Sequence, residues 1–221
     1  MLSKEELAYV SKHMRRLEFR KKQVIFREDS FAKGLYIIRK GKVKMYKTNP
    51  DGKESIIGIY RKGDHMGYRS LLANGHNSVS GAAIDNVIIS FIPNTIFQEV
   101  LEKSNRLALQ LLFNLSKEFS IWINRSTAFS YYTVKERVAL TLLILSKIYE
   151  NGDKSIIISL NRDDFAGYVG TAKETLVRML RVFKDEKIIA TRGTKIIVLK
   201  PRALERMVEK RDHPGQEEKD N

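Results

Sequence analysis

The 221-residue chain contains no cysteine. That absence removes disulfides, thiolate metal sites, iron–sulfur clusters and thiol redox sensing from the chemistry open to it. Four scattered histidines offer little for a metal cage, and no metal site is expected. Long apolar runs are missing too: no stretch approaches the roughly 20 apolar residues that a membrane-spanning helix needs, and no early segment joins a charged start to an apolar run. The expectation is a soluble, cytoplasmic protein with no membrane partner. No histidine or carboxylate grouping has the spacing of a catalytic cluster, so an enzyme is not expected.

Positive charge is abundant. The formal net charge is +14, which suits a polyanionic partner such as double-stranded DNA. Residues 1–132 carry 22 Lys and Arg against 12 Asp and Glu, and the remainder 18 against 14. The excess therefore sits away from the segment that reads as a DNA reader, and its meaning stays open.

From about Glu18 to Ile92, short apolar or alternating runs ("GLYIIRKGKVKMY", "SIIGIY", "NVIISFI") are separated by turn residues such as Lys40-Gly41 and Asn49-Pro50-Asp51-Gly52. This rhythm predicts an all-β unit. After Pro93 the period becomes helical, and no Gly or Pro interrupts residues 105–124. Ala108, Leu112, Leu115, Phe119 and Trp122 fall on one seam, which could pack on the chain's own β unit or on a second copy of the helix. "STAFSYYT" reads as a hinge, "VKERVALTLLILSKIYENG" as a helix closed by Asn151-Gly152, and the polar end after Arg211 as a mobile tail. The expected division is 1–104, 105–130, 131–211 and 212–221.

The second half holds the sharpest motif. Asn161 predicts an N-cap, with Phe165 and Val169 on one face of a short helix ending at Gly170. A second helix opens at Thr171, with Leu176, Met179, Leu180 and Phe183 at core spacing, and Lys173, Glu174, Val177, Arg178 and Arg181 on the opposite face. A helix-turn-helix of this polarity followed by a basic hairpin can enter a major groove. Arg178 can donate twice to guanine, Lys173 less selectively, and Glu174 can accept from cytosine, unless a Thr171/Glu174 capping box claims that carboxylate. Arg162 and Thr175 are placed to meet phosphates, and Arg192 and Lys195 to lie on the hairpin wing.

"VGTAKETLVRML", "KGKVKMY" and "KGDHMG" together resemble the Crp/Fnr family of bacterial transcription regulators, over nearly the whole chain. The resemblance implies an α+β architecture: an N-terminal double-stranded, jelly-roll-like β-roll, a long dimerisation helix and a C-terminal winged helix-turn-helix. It implies a homodimer on a two-fold symmetric operator, contact with RNA polymerase, and base reading by Lys173, Glu174 and Arg178. It places an effector pocket at Gly67, Tyr68, Arg69, Ser70, Ser78, Val79, Trp122 and Ile123. Cyclic-AMP-binding members carry Gly-Glu and Arg-Ser pairs there; Tyr68-Arg69 and Ser78-Val79 replace them, so the phosphate loses its counter-charge and cyclic AMP is not expected. Haem is not expected either, although His65 or His76 could serve as an axial ligand. Two functions stay open: a regulator whose roll senses another small ligand contacting Tyr68, Arg69 and Trp122, and a constitutive DNA-binding protein whose roll is a scaffold.

Overall fold

The segments "GLYIIRK" and "VIISFIP" are apolar at nearly every position rather than at every second one, the pattern of strands buried on both faces. The computed structural model describes residues 3–73, 75–150 and 156–212, the side chains of 210–212 excepted. It divides into two compact units, one taking residues up to Asn49 and Ile56–Asn124, the other Pro50–Ser55 and the chain from Arg125 onward.

The first unit comprises α1 (Lys4–His13), β1 (Arg15–Phe19), β2 (Val24–Phe26), β3 (Gly34–Lys40), β4 (Val43–Thr48), β5 (Glu54–Tyr60), β6 (His65–Met66), α2 (Tyr68–Leu72), β7 (Ser80–Ala83), β8 (Val87–Pro93), α3 (Asn94–Lys103) and the first part of α4 (Asn105–Tyr131). Two four-stranded sheets form, in the orders β1-β8-β3-β6 and β2-β7-β4-β5. Tyr36 and Ile38 of β3 with Val87 and Ile89 of β8 meet Phe26, Val43, Met45 and Ala83 of the second sheet. On the other face of the first sheet, Leu35 and Ile92 meet Val10, Leu71, Ile96, Phe97, Val100 and Leu111 from the four helices. Alternation along a strand sends neighbours to opposite faces, so these strands serve two cores at once.

Two of those helices were not anticipated. Helix α1 is started by a capping box in which Ser3 Oγ accepts from the Glu6 amide while the Glu6 carboxylate accepts from the Ser3 amide. Helix α2 follows directly on the "KGDHMG" segment. Gly67 caps it with φ 88°, and a Cβ at that position would sit 2.6 Å from the Gly34 carbonyl oxygen. Only glycine fits both the left-handed backbone and this close approach.

The second unit contains the end of α4, α5 (Val134–Tyr149), β9 (Ile157–Ser159), α6 (Arg162–Val169), α7 (Lys173–Asp185), β10 (Ile189–Arg192), β11 (Lys195–Val198) and α8 (Pro201–Asp212). Val138, Leu142, Leu145, Phe165, Leu176, Phe183, Ile196 and Leu204 form its fully buried interior. The strand order is β10-β11-β9, with Arg192 opposite Lys195 across a two-residue turn. The expected hinge at 126–133 is a correction: α4 continues to Tyr131, and the break comes at Tyr132-Thr133, where Thr133 caps α5. Helix α8 was also missed. The predicted Asn151-Gly152 stop and the tail from 213 lie outside the described residues.

Gly67→Ala is expected to cost about 1–3 kcal/mol of stability through the positive φ alone. A fall in the urea midpoint of the full chain, at unchanged slope, measures it.

Candidate functional site

Helix α6 ends at Gly170, which takes φ 70° and returns its amide to the Ala166 carbonyl. Helix α7 starts at Lys173 with Ala172 as N-cap and no side-chain capping bond. The Thr171/Glu174 capping box is therefore not formed, and Glu174 stands free of that role at the second helical position. Leu176, Leu180 and Phe183 are buried, whereas Lys173, Glu174, Val177, Arg178 and Arg181 are exposed. Among the described residues neither Glu174 nor Arg178 makes an ion pair or side-chain hydrogen bond. Both can offer their full hydrogen-bonding capacity to a base edge.

Lys173 differs. Its Nζ lies 2.9 Å from Asp163 Oδ1 and 3.1 Å from Oδ2, bridging the first turns of α7 and α6. Arg162 also differs from expectation: its guanidinium donates to the Thr194 carbonyl at 3.1 Å and the Gly193 carbonyl at 3.4 Å. It fastens the wing turn, and partial burial lowers its pKa from the ordinary arginine value. Thr171 and Thr175 are half-buried, and Arg192 and Lys195 are exposed at the two ends of the turn.

Three residues that sequence reasoning missed hold the turn between α6 and α7. Arg125 Nη2 donates to the Tyr168 carbonyl at 2.8 Å, with its guanidinium 4.3 Å from the centre of the Tyr168 ring and 5.4 Å from that of Phe129. Arg137 donates to the Gly170 carbonyl at 3.4 Å and also faces Phe129. A Cβ on Gly170 would come within 2.2 Å of the Phe129 ring. Burial pulls the Arg125 pKa down and pushes the Tyr168 phenol up, the latter partly offset by Arg125. The signal available was Gly170 itself, whose flanking packing partner no local pattern reveals.

In the first unit the expected effector residues separate. Tyr68 is only 2% exposed and belongs to the helical core, and Val79 belongs to the core between the sheets. Ser78, Trp122 and Ile123 are exposed, and the Trp122 ring stacks on Phe119 of its own helix. Arg69 is engaged within the protein: its Nε lies 3.6 Å from Glu118 Oε2 of α4, and it donates to the Tyr60 hydroxyl at 3.5 Å. Burial, then the Glu118 charge, pushes the Tyr68 phenol well above its ordinary value. A cyclic phosphate is poorly matched by this set, because its one cation, Arg69, is already paired with the half-buried Glu118 carboxylate. His65 is held toward its neutral form chiefly by burial, and the His76 ring packs at a tilt against Phe31.

On α4 the residues that face the unit's own core are Leu107 and Leu111. Leu112, Leu115, Phe119 and Trp122 of the expected seam are exposed, and Ala108 is half-buried. Packing on the chain's own β unit is thus not what occupies the seam. No helix among the described residues is long and apolar enough to cross a membrane.

The cyclic nucleotide-binding domain family matches residues 16–104, and the Crp-like helix-turn-helix domain family matches residues 136–207. Electron transport regulator A of Shewanella oneidensis is 27% identical over 188 residues, spanning 84% of this chain and 75% of that protein. The solved structure of FixK2 from Bradyrhizobium japonicum superposes with a TM-score of 0.79 at 21% identity, covering 88% of this chain and 96% of that one. A transcriptional regulator of the Crp/Fnr family from Thermus thermophilus gives a TM-score of 0.75 at 20% identity, covering 88% and 98%.

Asp163→Asn should release Lys173 and raise affinity for duplex DNA about 1.5- to 5-fold, the range that an exposed pair of roughly 0.2–1 kcal/mol allows. Fluorescence anisotropy at low salt checks this, and an unchanged affinity would mean the pair does not restrain Lys173 in solution.

Proposed function

Because the chain belongs to the Crp/Fnr family of DNA-binding transcriptional regulators, which are not enzymes, we propose that it works as a cytoplasmic homodimer reading a two-fold symmetric operator through α7. The observation that carries the reading is the division of that helix. One face is committed to the core, and the other presents Lys173, Glu174 and Arg178 exposed on its first two turns. Arg178 takes a guanine through two parallel hydrogen bonds, Glu174 accepts from cytosine, and Lys173 contributes a point charge. Thr171, Thr175, Val177 and Arg181 support the fit, while Arg192 and Lys195 meet the phosphate backbone from the wing. Arg162 acts from behind, by holding the wing turn in place.

The exposed seam on α4 supports dimerisation, since a helix carrying Leu112, Leu115, Phe119 and Trp122 in solvent gains by pairing with its copy. Regulation passes through contact with RNA polymerase, and the roll senses a small ligand other than cyclic AMP. A second reading, in which the roll is a ligand-free scaffold, is favoured by one observation: Tyr68 is packed into the core and Arg69 is paired with Glu118. The two separate on whether any metabolite changes operator affinity.

With an operator selected from random sequence, Arg178→Ala should lose about 1–3 kcal/mol of discrimination at one base pair of each half-site. Equal loss on every sequence would make Arg178 a phosphate contact instead. Leu115→Asp should yield monomers in sedimentation velocity, and a persistent dimer would contradict the seam.

A further inference from the structure

A groove of about 380 Å³ opens beside the recognition helix, wholly within the second unit, where α7, the start of α6 and strand β10 meet. Residues three and four apart share a helix face, so Val177, Arg181 and Lys184 line it together from α7. Arg162 of α6 and Thr191 of β10 line it from the other two elements, and Leu180, only 4% exposed, closes the bottom.

The protein does not compensate the positive charge gathered here. Arg181 and Lys184 are exposed, and among the described residues neither makes an ion pair or a side-chain hydrogen bond. Arg162 is recessed: burial pulls its pKa down, and its guanidinium is held only by the Thr194 and Gly193 carbonyls. Those two bonds leave donor capacity in a group with five N–H bonds. A recessed cation is costly to desolvate and is ordinarily paired with an anion, yet no carboxylate among the described residues lies within ion-pair reach of Arg162. Asp185 is the one acidic residue that lines the groove. Three cations against one carboxylate leave a net of two positive charges, the complement of a dianion.

We propose that this groove binds a small molecule carrying a dianionic phosphate, and that its occupation opposes DNA binding. The phosphate meets Arg162, Arg181 and Lys184, where the forked guanidinium donors match its oxygens, and the Thr191 hydroxyl adds a further donor. The volume lies in the range of small-molecule sites and exceeds what a bare phosphate fills, which leaves Val177 and Leu180 to take the body of the ligand. Concavity favours such a compact ligand over a duplex, whose phosphates are spread along a rod. Arg181 and Val177 also stand on the face of α7 assigned to the operator, so ligand and duplex compete for them. That competition rests on the operator reading above, whereas the binding of the ligand does not.

Calorimetry of the full chain with inorganic pyrophosphate, in buffer free of divalent ions and against sodium chloride of equal ionic strength, tests the site. One site per chain should saturate. Lys184→Gln should weaken it roughly tenfold, as expected for the loss of one charge-assisted hydrogen bond. Lys12→Gln, which removes the same charge from the exposed face of α1, should leave it unchanged. In fluorescence anisotropy, pyrophosphate should lower the affinity of wild type for a minimal operator duplex beyond the sodium chloride effect, and that of Lys184→Gln less. Without pyrophosphate, Lys184→Gln should bind the duplex as wild type does, which also shows that it is folded. The absence of saturable heat from wild type, or equal weakening by the two variants, overturns the site. Saturable binding that leaves duplex affinity untouched overturns the competition. If wild type takes up no pyrophosphate and Lys184→Gln alone loses duplex affinity, the groove seats a DNA phosphate and the proposal fails. Equal binding of wild type to every duplex sequence would strike the operator reading instead, and the calorimetry would still decide the groove.

Discussion

The central strands β3 and β8 of the β1-β8-β3-β6 sheet are buried on both faces, and the rest of the first unit is arranged around that constraint. Tyr36 and Ile38 point to one core while Leu35 points to the other, so a slip of one residue would exchange the two sets and ruin both. Register is therefore fixed twice over. The outer core demands a cover, and α1, α2, α3 and the start of α4 supply it. Tyr68 is drawn into this cover, so the segment between Gly67 and Gly75 takes part in holding the roll together. Its neighbour Arg69 then tethers α4 through Glu118, joining the roll to the helix whose exposed seam remains available.

In the second unit, the cations that hold the turns are different from those that α7 leaves exposed. Arg125, Arg137 and Arg162 donate to backbone carbonyls at Tyr168, Gly170, Gly193 and Thr194, at or next to the turns on either side of the recognition helix. Hydrogen bonds from a charged donor contribute about 1.5–3 kcal/mol each, more than most neutral ones, and three such donors fix where α7 and the wing lie. Lys173 is intermediate, exposed but paired with Asp163. Arg178 and Glu174 spend nothing within the protein.

Much of this was legible in the sequence, and the missing parts share a cause. The two faces of α7 and the stop at Gly170 were visible because helical period and a left-handed glycine are local signals. The seam on α4 was visible for the same reason, although its partner could not be. The hinge at 126–133 was misplaced because Ser, Thr and aromatic residues have modest helix propensity, yet Phe129 packs at Gly170 and carries the helix on. Helix α2 is five residues long, too short for any periodicity, and depends on the Gly67 approach to Gly34. The role of Glu118 had no local signature at all, since its partner lies on another element. Arg162 looked like a phosphate contact because a basic helix start reads the same whether its charge faces DNA or a carbonyl.

The Arg162 anchor grips peptide oxygens rather than side chains. A residue fastened in that way is indifferent to which amino acids the wing displays, provided the two-residue turn keeps its shape. Lineages descended from such a regulator can change the charge and size of what stands at the wing tip without first surrendering the bracket that holds the tip in position.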